Sequence, residues 1–268
     1  MKRLINKLLN ITGKKLHTIS QRILPDYNYE FSVLPSQPWE FVQRCVEKEL
    51  CRFLPGIKNK SSLNIVVAGA YTGEEIKAIK HSLSNQIVNA FLFEANPHTF
   101  EICKLNFQAD EKVICYNKAV SNFVGKSEFQ ENSIGGTGSL LSLNVQEISG
   151  SLIEKIESYH VDVTTLDNEF YSFLQKDEEI DLLIIDVQGA EMQVLEGASN
   201  IIKKIKSIFI EVQHGQNDYE GGVDFELIHE FLNKNNFSLF LLGMNPGHNQ
   251  GNAFYISRSE MQFGKTKE

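Results

Sequence analysis

Gly69-Ala70-Tyr71-Thr72-Gly73 follows an apolar run, and Glu94 closes the next such run, 21 residues beyond Gly73. Glycine lets a backbone pass close beneath a ligand, and the helix that follows presents its N-terminus. An acid one strand over can accept both hydroxyls of a ribose. The set points to an adenosine-bearing cofactor held by Gly69, Ala70, Tyr71, Gly73, Glu94 and Ala95, with Asp186 further along the chain as another contact. Tyr71 stands at the middle position, which a diphosphate-cradling loop gives to glycine. The pattern therefore suits S-adenosyl-L-methionine, which carries no phosphate, better than a nicotinamide dinucleotide. The plainer alternative is that Gly69 makes a turn and Glu94 solvates a strand end.

A second constellation lies further along: Asp186, Glu191, Glu211 and His214. Asp186 closes a strand-like run and Glu211 lies near the end of the next, so both should reach the carboxyl edge of a sheet. Transfer of a methyl group from a sulfonium is an in-line displacement governed by alignment. An alcohol acceptor also needs its proton removed, a task worth about 10²–10⁴-fold. His214 is the first candidate for that base, Asp186 the second and Glu191 a third. Glu191 equally suits the first turn of a helix, where its charge meets the dipole. A structural histidine is the alternative for His214. Asp186, Glu211 and His214 would also offer a divalent metal oxygen and nitrogen ligands. Asn117 and Ala119 end the third strand-like run, where an adenine could rest. The glycine-rich stretch Gly135–Ser139, with Leu140, reads as a lid or acceptor loop.

The elements that must position these residues alternate in type. Leu63–Ala68, Val88–Glu94, Val113–Val120, Val161–Thr164, Ile180–Asp186 and Ser207–Val212 are predicted strands, with a short addition at Gly125–Phe129. Helices are predicted at Gly73–Leu83, Pro97–Phe107, from Leu166 after a Thr165 cap, at Gly189–Lys204 and at Phe225–Leu232. Residues 131–150 read as a flexible loop. This alternation predicts a mostly parallel, doubly wound α/β sheet. The last two strands, Phe237–Leu242 and Ala253–Ile256, are separated by about ten residues rich in Gly, Pro and Asn. A parallel crossover needs a dozen or more, so they should form an antiparallel hairpin. Dinucleotide-binding dehydrogenases lack such a terminal hairpin, and class I methyltransferases possess one.

At 268 residues, 42% hydrophobic and 22% charged, the chain can build a full core. Disorder and collagen-like structure are excluded by that composition, and no run of some 18–20 apolar residues suits a membrane span. A net charge of −8 disfavours a general nucleic-acid binder. Cys45, Cys51, Cys103 and Cys115 show no CxxC spacing and read as buried thiols, which places the protein in the cytoplasm. Residues 1–25 carry six cations and no acid, with Leu4, Ile5, Leu8 and Leu9 at helical spacing. That segment would lie on its own acidic domain or touch an anionic membrane surface. The expected organisation is a basic, mainly helical extension at 1–55, a catalytic domain at 56–258 and a polar tail at 259–268. Trp39, Phe41 and Phe53 could roof the site.

Together, Gly69-Ala70-x-x-Gly73, Phe93-Glu94-Ala95-Asn96-Pro97, Val163-x-Thr165-Leu166-Asp167, Asp186-Val187-Gln188-Gly189-Ala190-Glu191 with Val194-Leu195-x-Gly197-Ala198, and Glu211-Val212-Gln213-His214 resemble the FkbM-type methyltransferases. The resemblance runs from about Leu63 to Ile256. It implies a Rossmann-like class I fold, S-adenosylmethionine as donor, and O-methylation of a hydroxyl, commonly on a sugar of a glycan or natural product. Two positions depart from the family pattern. Val67 stands where an acid is usual, which would remove a contact near the donor's amino group, and Ile184 where a lysine is frequent, which would remove a hydrogen bond within the site. An NAD(P)-dependent oxidoreductase, or a non-catalytic adenosyl-binding module, is the competing expectation.

Overall fold

The computed structural model describes residues 60–263, apart from 84–85, 146, 149–150, 177, 216 and 245–248. The basic extension, Cys45, Cys51 and the three aromatics expected to roof the site lie outside the described residues.

Among the described residues, seven strands form the main sheet. These are β1 (Ser62–Ala68), β2 (Ile87–Phe93), β3 (Val113–Tyr116), β9 (Leu182–Ile185), β10 (Ser207–Gln213), β11 (Phe237–Met244) and β12 (Gln250–Ser257). Their spatial order is β11-β12-β10-β9-β1-β2-β3. β3, β2, β1, β9 and β10 run parallel, whereas β12 pairs antiparallel with both β10 and β11. The expected terminal hairpin is therefore present, seated so that its second strand joins the sheet. Chain order reverses between β1 and β9, and in open α/β sheets the crevice beyond the carboxyl ends at that point takes ligands.

Continuous apolar strands follow from burial on both faces. Along β1, Ile65 and Val67 pack in one core cluster while Val66 and Ala68 pack in the other. Helices α1 (Glu74–Ser82), α2 (Pro97–Asn106) and α6 (Phe225–Lys234) cover these faces. α2 starts where Pro97 supplies a ready helical φ and the Asn96 side chain accepts from the amides of His98 and Thr99 at 2.9 and 3.3 Å. α6 buries Phe225, Ile228 and Leu232, one stripe of its surface.

Several expectations change. The third predicted strand divides: β3 stays in the main sheet, and Ala119–Val120 becomes β4 of a separate sheet. That sheet, ordered β4-β8-β5, contains β5 (Gly125–Asn132) and the ten-residue β8 (Lys155–Thr164), both longer than expected. The stretch 131–150 is correspondingly shorter as a loop, and β6 (Glu147–Ile148) pairs with β7 (Ser151–Leu152) at its far end. Two short helices, α3 (Leu166–Glu169) and α4 (Tyr171–Lys176), follow β8; Thr165 caps the first by accepting from Asn168 N at 3.1 Å. Finally, the helix expected over 189–204 breaks into α5 (Glu191–Glu196) and a 3₁₀ turn, Ile201–Lys204. The Asp167 carboxylate enforces the break by accepting from the amides of Asn200 and Ile201. Gly197 lets the chain approach closely there, since a Cβ on it would lie 2.0 Å from the Ser121 carbonyl oxygen. A further helix, α7 (Arg258–Phe263), begins the segment expected as a polar tail.

Candidate functional site

The turn after β1 is hung from its neighbours by backbone bonds. Gly69 N and Ala70 N both donate to the Phe93 carbonyl, at 3.0 and 2.9 Å, while Asp186 N donates to the Ala68 carbonyl at 3.0 Å. Gly69 has φ +85°, and a Cβ there would stand 1.7 Å from the Asp186 carbonyl oxygen. Only glycine satisfies both demands. Tyr71 also takes a positive φ, 47°, which places its ring at the surface. Glu94, just past β2, reaches back with both oxygens: Oε2 accepts from Tyr71 N at 2.7 Å and Oε1 from Asn96 N at 2.8 Å. Burial pushes its carboxyl up to about 7 despite those amides.

A cavity of about 310 Å³ opens over the carboxyl edge, from β3 past β2 and β1 to β9. Of the expected cofactor contacts, Gly69, Tyr71, Glu94, Ala95, Ala119 and Asp186 line it. Three others serve the cavity without lining it. Ala70 is wholly buried in the core beneath the turn, and Gly73 precedes α1. Asn117 donates from Nδ2 to the carbonyls of Glu94 and Ala95 at 2.9 and 3.1 Å, bracing the segment that carries the acid.

Asp186 is backed by a buried polar network that sequence reasoning missed. Gln188, itself at φ 56°, donates from Nε2 to Asp186 Oδ1 and, at 3.1 Å, to Glu211 Oε2. Gln188 thus bridges the two carboxyl groups. Burial raises both carboxyls, and the Asp186 charge adds to the rise at Glu211. Glu191 braces the loop instead of lining the cavity: its Oε1 accepts from Val187 N at 3.2 Å and Gly189 N at 3.1 Å. Burial lifts that carboxyl to about 7. His214, the expected base, also lies outside the cavity lining, with Nδ1 3.6 Å from Glu226 Oε1 on α6. The only sequence signal for the bridging role was the position of Gln188 inside the Asp186–Glu191 block.

The opposite wall comes from β5 and the glycine-rich loop. Phe129, Asn132, Gly135, Gly136, Gly138 and Leu140 line it. The loop is bonded to the rest of the site: Ser139 Oγ donates to the Gln188 carbonyl at 2.7 Å, and Tyr219 Oη and Asn132 Nδ2 each donate to the Thr137 carbonyl at 2.7 Å. Tyr71 closes the gap between the walls, its hydroxyl 3.0 Å from where a Cβ on Gly135 would stand.

Val67 and Ile184, the two departures from the family pattern, are register partners on β1 and β9. Both are buried in the same apolar cluster and neither lines the cavity. Among the described residues, no group of three or more His, Cys, Asp and Glu side chains is placed to hold a metal ion. No helix among them is long and apolar enough to cross a membrane.

Five parallel strands that reverse order between β1 and β9, closed by an antiparallel strand, give the class I methyltransferase architecture. The chain belongs to the Methyltransferase FkbM domain family, whose profile matches residues 68–239. It is 26% identical over 133 residues to the hexuronic acid methyltransferase AglP of Haloferax volcanii, a match covering 47% of this chain and 48% of that protein. The chain thus spans about half the length of this curated relative. Among solved structures, the methyltransferase FkbM of Methylobacillus flagellatus matches with a TM-score of 0.49 and 13% identity, over 73% of this chain and 44% of that one. The magnesium protoporphyrin IX methyltransferase ChlM of Synechocystis, solved with bound S-adenosylhomocysteine, matches with a TM-score of 0.43 and 12% identity, over 96% and 100% of the two chains. S-adenosyl-L-methionine is the cofactor of this class. The residues present fit it: a buried carboxylate, Glu94, faces the cavity beside the Gly69 turn, whose middle position is Tyr71 where a diphosphate cradle has glycine.

Proposed function

We propose that the protein transfers a methyl group from S-adenosylmethionine to a hydroxyl oxygen of a sugar, free or within a glycan. The observation that carries this reading is one cavity lined both by the adenosine-binding pair, Gly69 and Glu94, and by Asp186. The similarity to the hexuronic acid methyltransferase AglP favours a sugar acceptor.

When bound, the donor supplies an electrophilic methyl carbon on a sulfonium that is already a good leaving group. The chain's own task is to hold the two reactants in line and accept a proton. Glu94 takes the ribose hydroxyls, and the wall around Ala95 and Ala119 takes the adenine. The acceptor enters along Phe129, Asn132 and Leu140, with its hydroxyl toward Asp186. Asp186 is the proton acceptor in this reading, because it is the buried carboxyl at that point of the cavity. Its raised pKa makes the ionised form a stronger base, and the Gln188 amide fixes the oxygen that receives the proton. Positioning and specificity then belong to different walls.

The direct test incubates the protein with S-adenosylmethionine and a panel of neutral sugars, uronic acids and oligosaccharides. S-adenosylhomocysteine release and a mass gain of one methylene on an acceptor are expected. Binding of S-adenosylhomocysteine without turnover on any hydroxyl acceptor would instead favour the adenosyl-binding module, and enhanced NADH fluorescence the oxidoreductase.

A further inference from the structure

The charged side chains lining the cavity are four carboxylates, Glu75, Glu94, Glu131 and Asp186, and one ammonium, Lys118. Four of the five have clear partners. Glu94 accepts two backbone amides, Glu131 accepts from Tyr159 Oη at 2.6 Å, Asp186 accepts from Gln188, and Lys118 donates to Glu169 at 2.8 Å. Glu75, the second residue of α1, takes its backbone hydrogen bond from its own N–H. Its carboxyl is pushed up to about 7, first by burial and then by the neighbouring Asp186 and Glu74 charges. Half-buried and near another acid, it would gain from a cation brought into the cavity.

The direction of the cavity says which cation. It crosses the carboxyl edge from β3 to β9, with Ala95, Ala119 and Glu94 toward the β3 and β2 end. Glu75 follows β1 and Asp186 follows β9, so they mark the other end. Once adenine and ribose occupy the first end, the amino-acid tail of the donor has only the Gly69–Glu75–Asp186 end left to fill. That tail carries an α-ammonium. Resting on the donor-site reading above, we propose that Glu75 is the anion that receives this ammonium and so sets the preference for ligands bearing the amino-acid tail. The place that the family pattern gives to an acid, Val67, lies in the apolar core and offers the tail nothing.

The test compares two ligands that share the adenosine: S-adenosylhomocysteine, which has the tail, and 5′-methylthioadenosine, which lacks it. Calorimetry on Glu75→Gln should show about tenfold or greater weakening for S-adenosylhomocysteine, the scale of a lost charged hydrogen bond. Binding of 5′-methylthioadenosine should stay within about twofold, and its retention certifies an intact pocket. Equal losses for both ligands would make Glu75 structural, and no loss for either would remove it from the site; each result overturns the proposal. If the wild-type chain binds neither ligand, the donor-site reading falls and takes the proposal with it. Should Glu75→Gln fail to fold, Glu75→Ser, which keeps a hydrogen-bonding group at the start of α1, gives the same ratio.

Discussion

The two walls of the cavity are built on different principles. The donor wall grows out of the main sheet. β1 is flanked by β2 and β9, and its final residues Val66, Val67 and Ala68 are almost wholly inaccessible. Its turn is tied down by main-chain bonds to the ends of β2 and β9. The acceptor wall stands on the small β4-β8-β5 sheet, whose own core is Ala119, Phe129, Val161 and Val163. Much of β8 faces solvent, and Ile156 is 58% exposed. A wall backed by main-chain geometry resists sequence change, whereas one backed by four side chains and a glycine loop can be reshaped cheaply. The difference teaches why one fold can keep its donor and vary its acceptor.

Asp186 sits on the seam, so Asp186→Asn should be the severest test. Turnover is expected to fall about 10²–10⁴-fold while S-adenosylhomocysteine affinity changes little, as read by steady-state kinetics beside calorimetry. Full activity would move the base elsewhere, with His214 the next to replace. Gly69→Ala attacks the donor wall itself. A Cβ at φ +85° facing a carbonyl oxygen 1.7 Å away cannot be accommodated in place. Destabilisation of about 3 kcal/mol or more is expected, with donor binding lost, by thermal and urea unfolding. Glu94→Gln separates the walls: donor affinity should drop about 10–100-fold while the acceptor KM, at saturating donor, stays within about twofold. A parallel rise in acceptor KM would show that the walls act as one. Hydrogen exchange should then rank the two, with amides of β5 and β8 exchanging faster than those of β1 and β2.

The smallest effect is one of pH. In the free protein Glu94, Glu75 and Glu191 are raised to about 7 from an ordinary value near 4.5. The folded chain thus binds more protons than the unfolded one between those values. The stability they confer is present below about 4.5 and is lost as pH rises through about 7. With Glu94 and Glu75 in their proposed roles, donor binding favours their ionised forms. Between pH 6 and 8 the melting temperature of the free protein should fall while the increment given by S-adenosylhomocysteine grows. Thermal scans with and without ligand read both slopes, and an increment independent of pH would separate the carboxylates from the donor.

The contrast between walls also sets what could be read from sequence. Main-sheet strands announce themselves as Ile65-Val66-Val67-Ala68 or Leu182-Leu183-Ile184-Ile185 because both faces are covered. The terminal hairpin follows from a connection too short for a crossover. β8 begins Lys155-Ile156-Glu157-Ser158, polar and exposed, so nothing in its composition distinguishes it from a loop. The helix predicted through Lys204 kept its apolar spacing past Gly197, since Ile201 and Ile202 are buried in the 3₁₀ turn as they would be in a helix. The turn and Glu94 were legible because their chemistry depends on spacing along the chain. Gln188 joining Asp186 to Glu211 was not, because that link spans two strands. Glu75 was hidden for a different reason: an acid in the first turn of a helix already has a sufficient electrostatic explanation.

Val67 and Ile184 lie outside the cavity lining, and their packing limits what can replace them. Register partners inside one apolar cluster can be exchanged for a lysine and an acid only as a couple, since a single charge stranded there would cost about 3–5 kcal/mol. Relatives should accordingly inherit the two sites as a matched set, both aliphatic or oppositely charged. A chimera that swaps either strand alone should fail where one that swaps both survives.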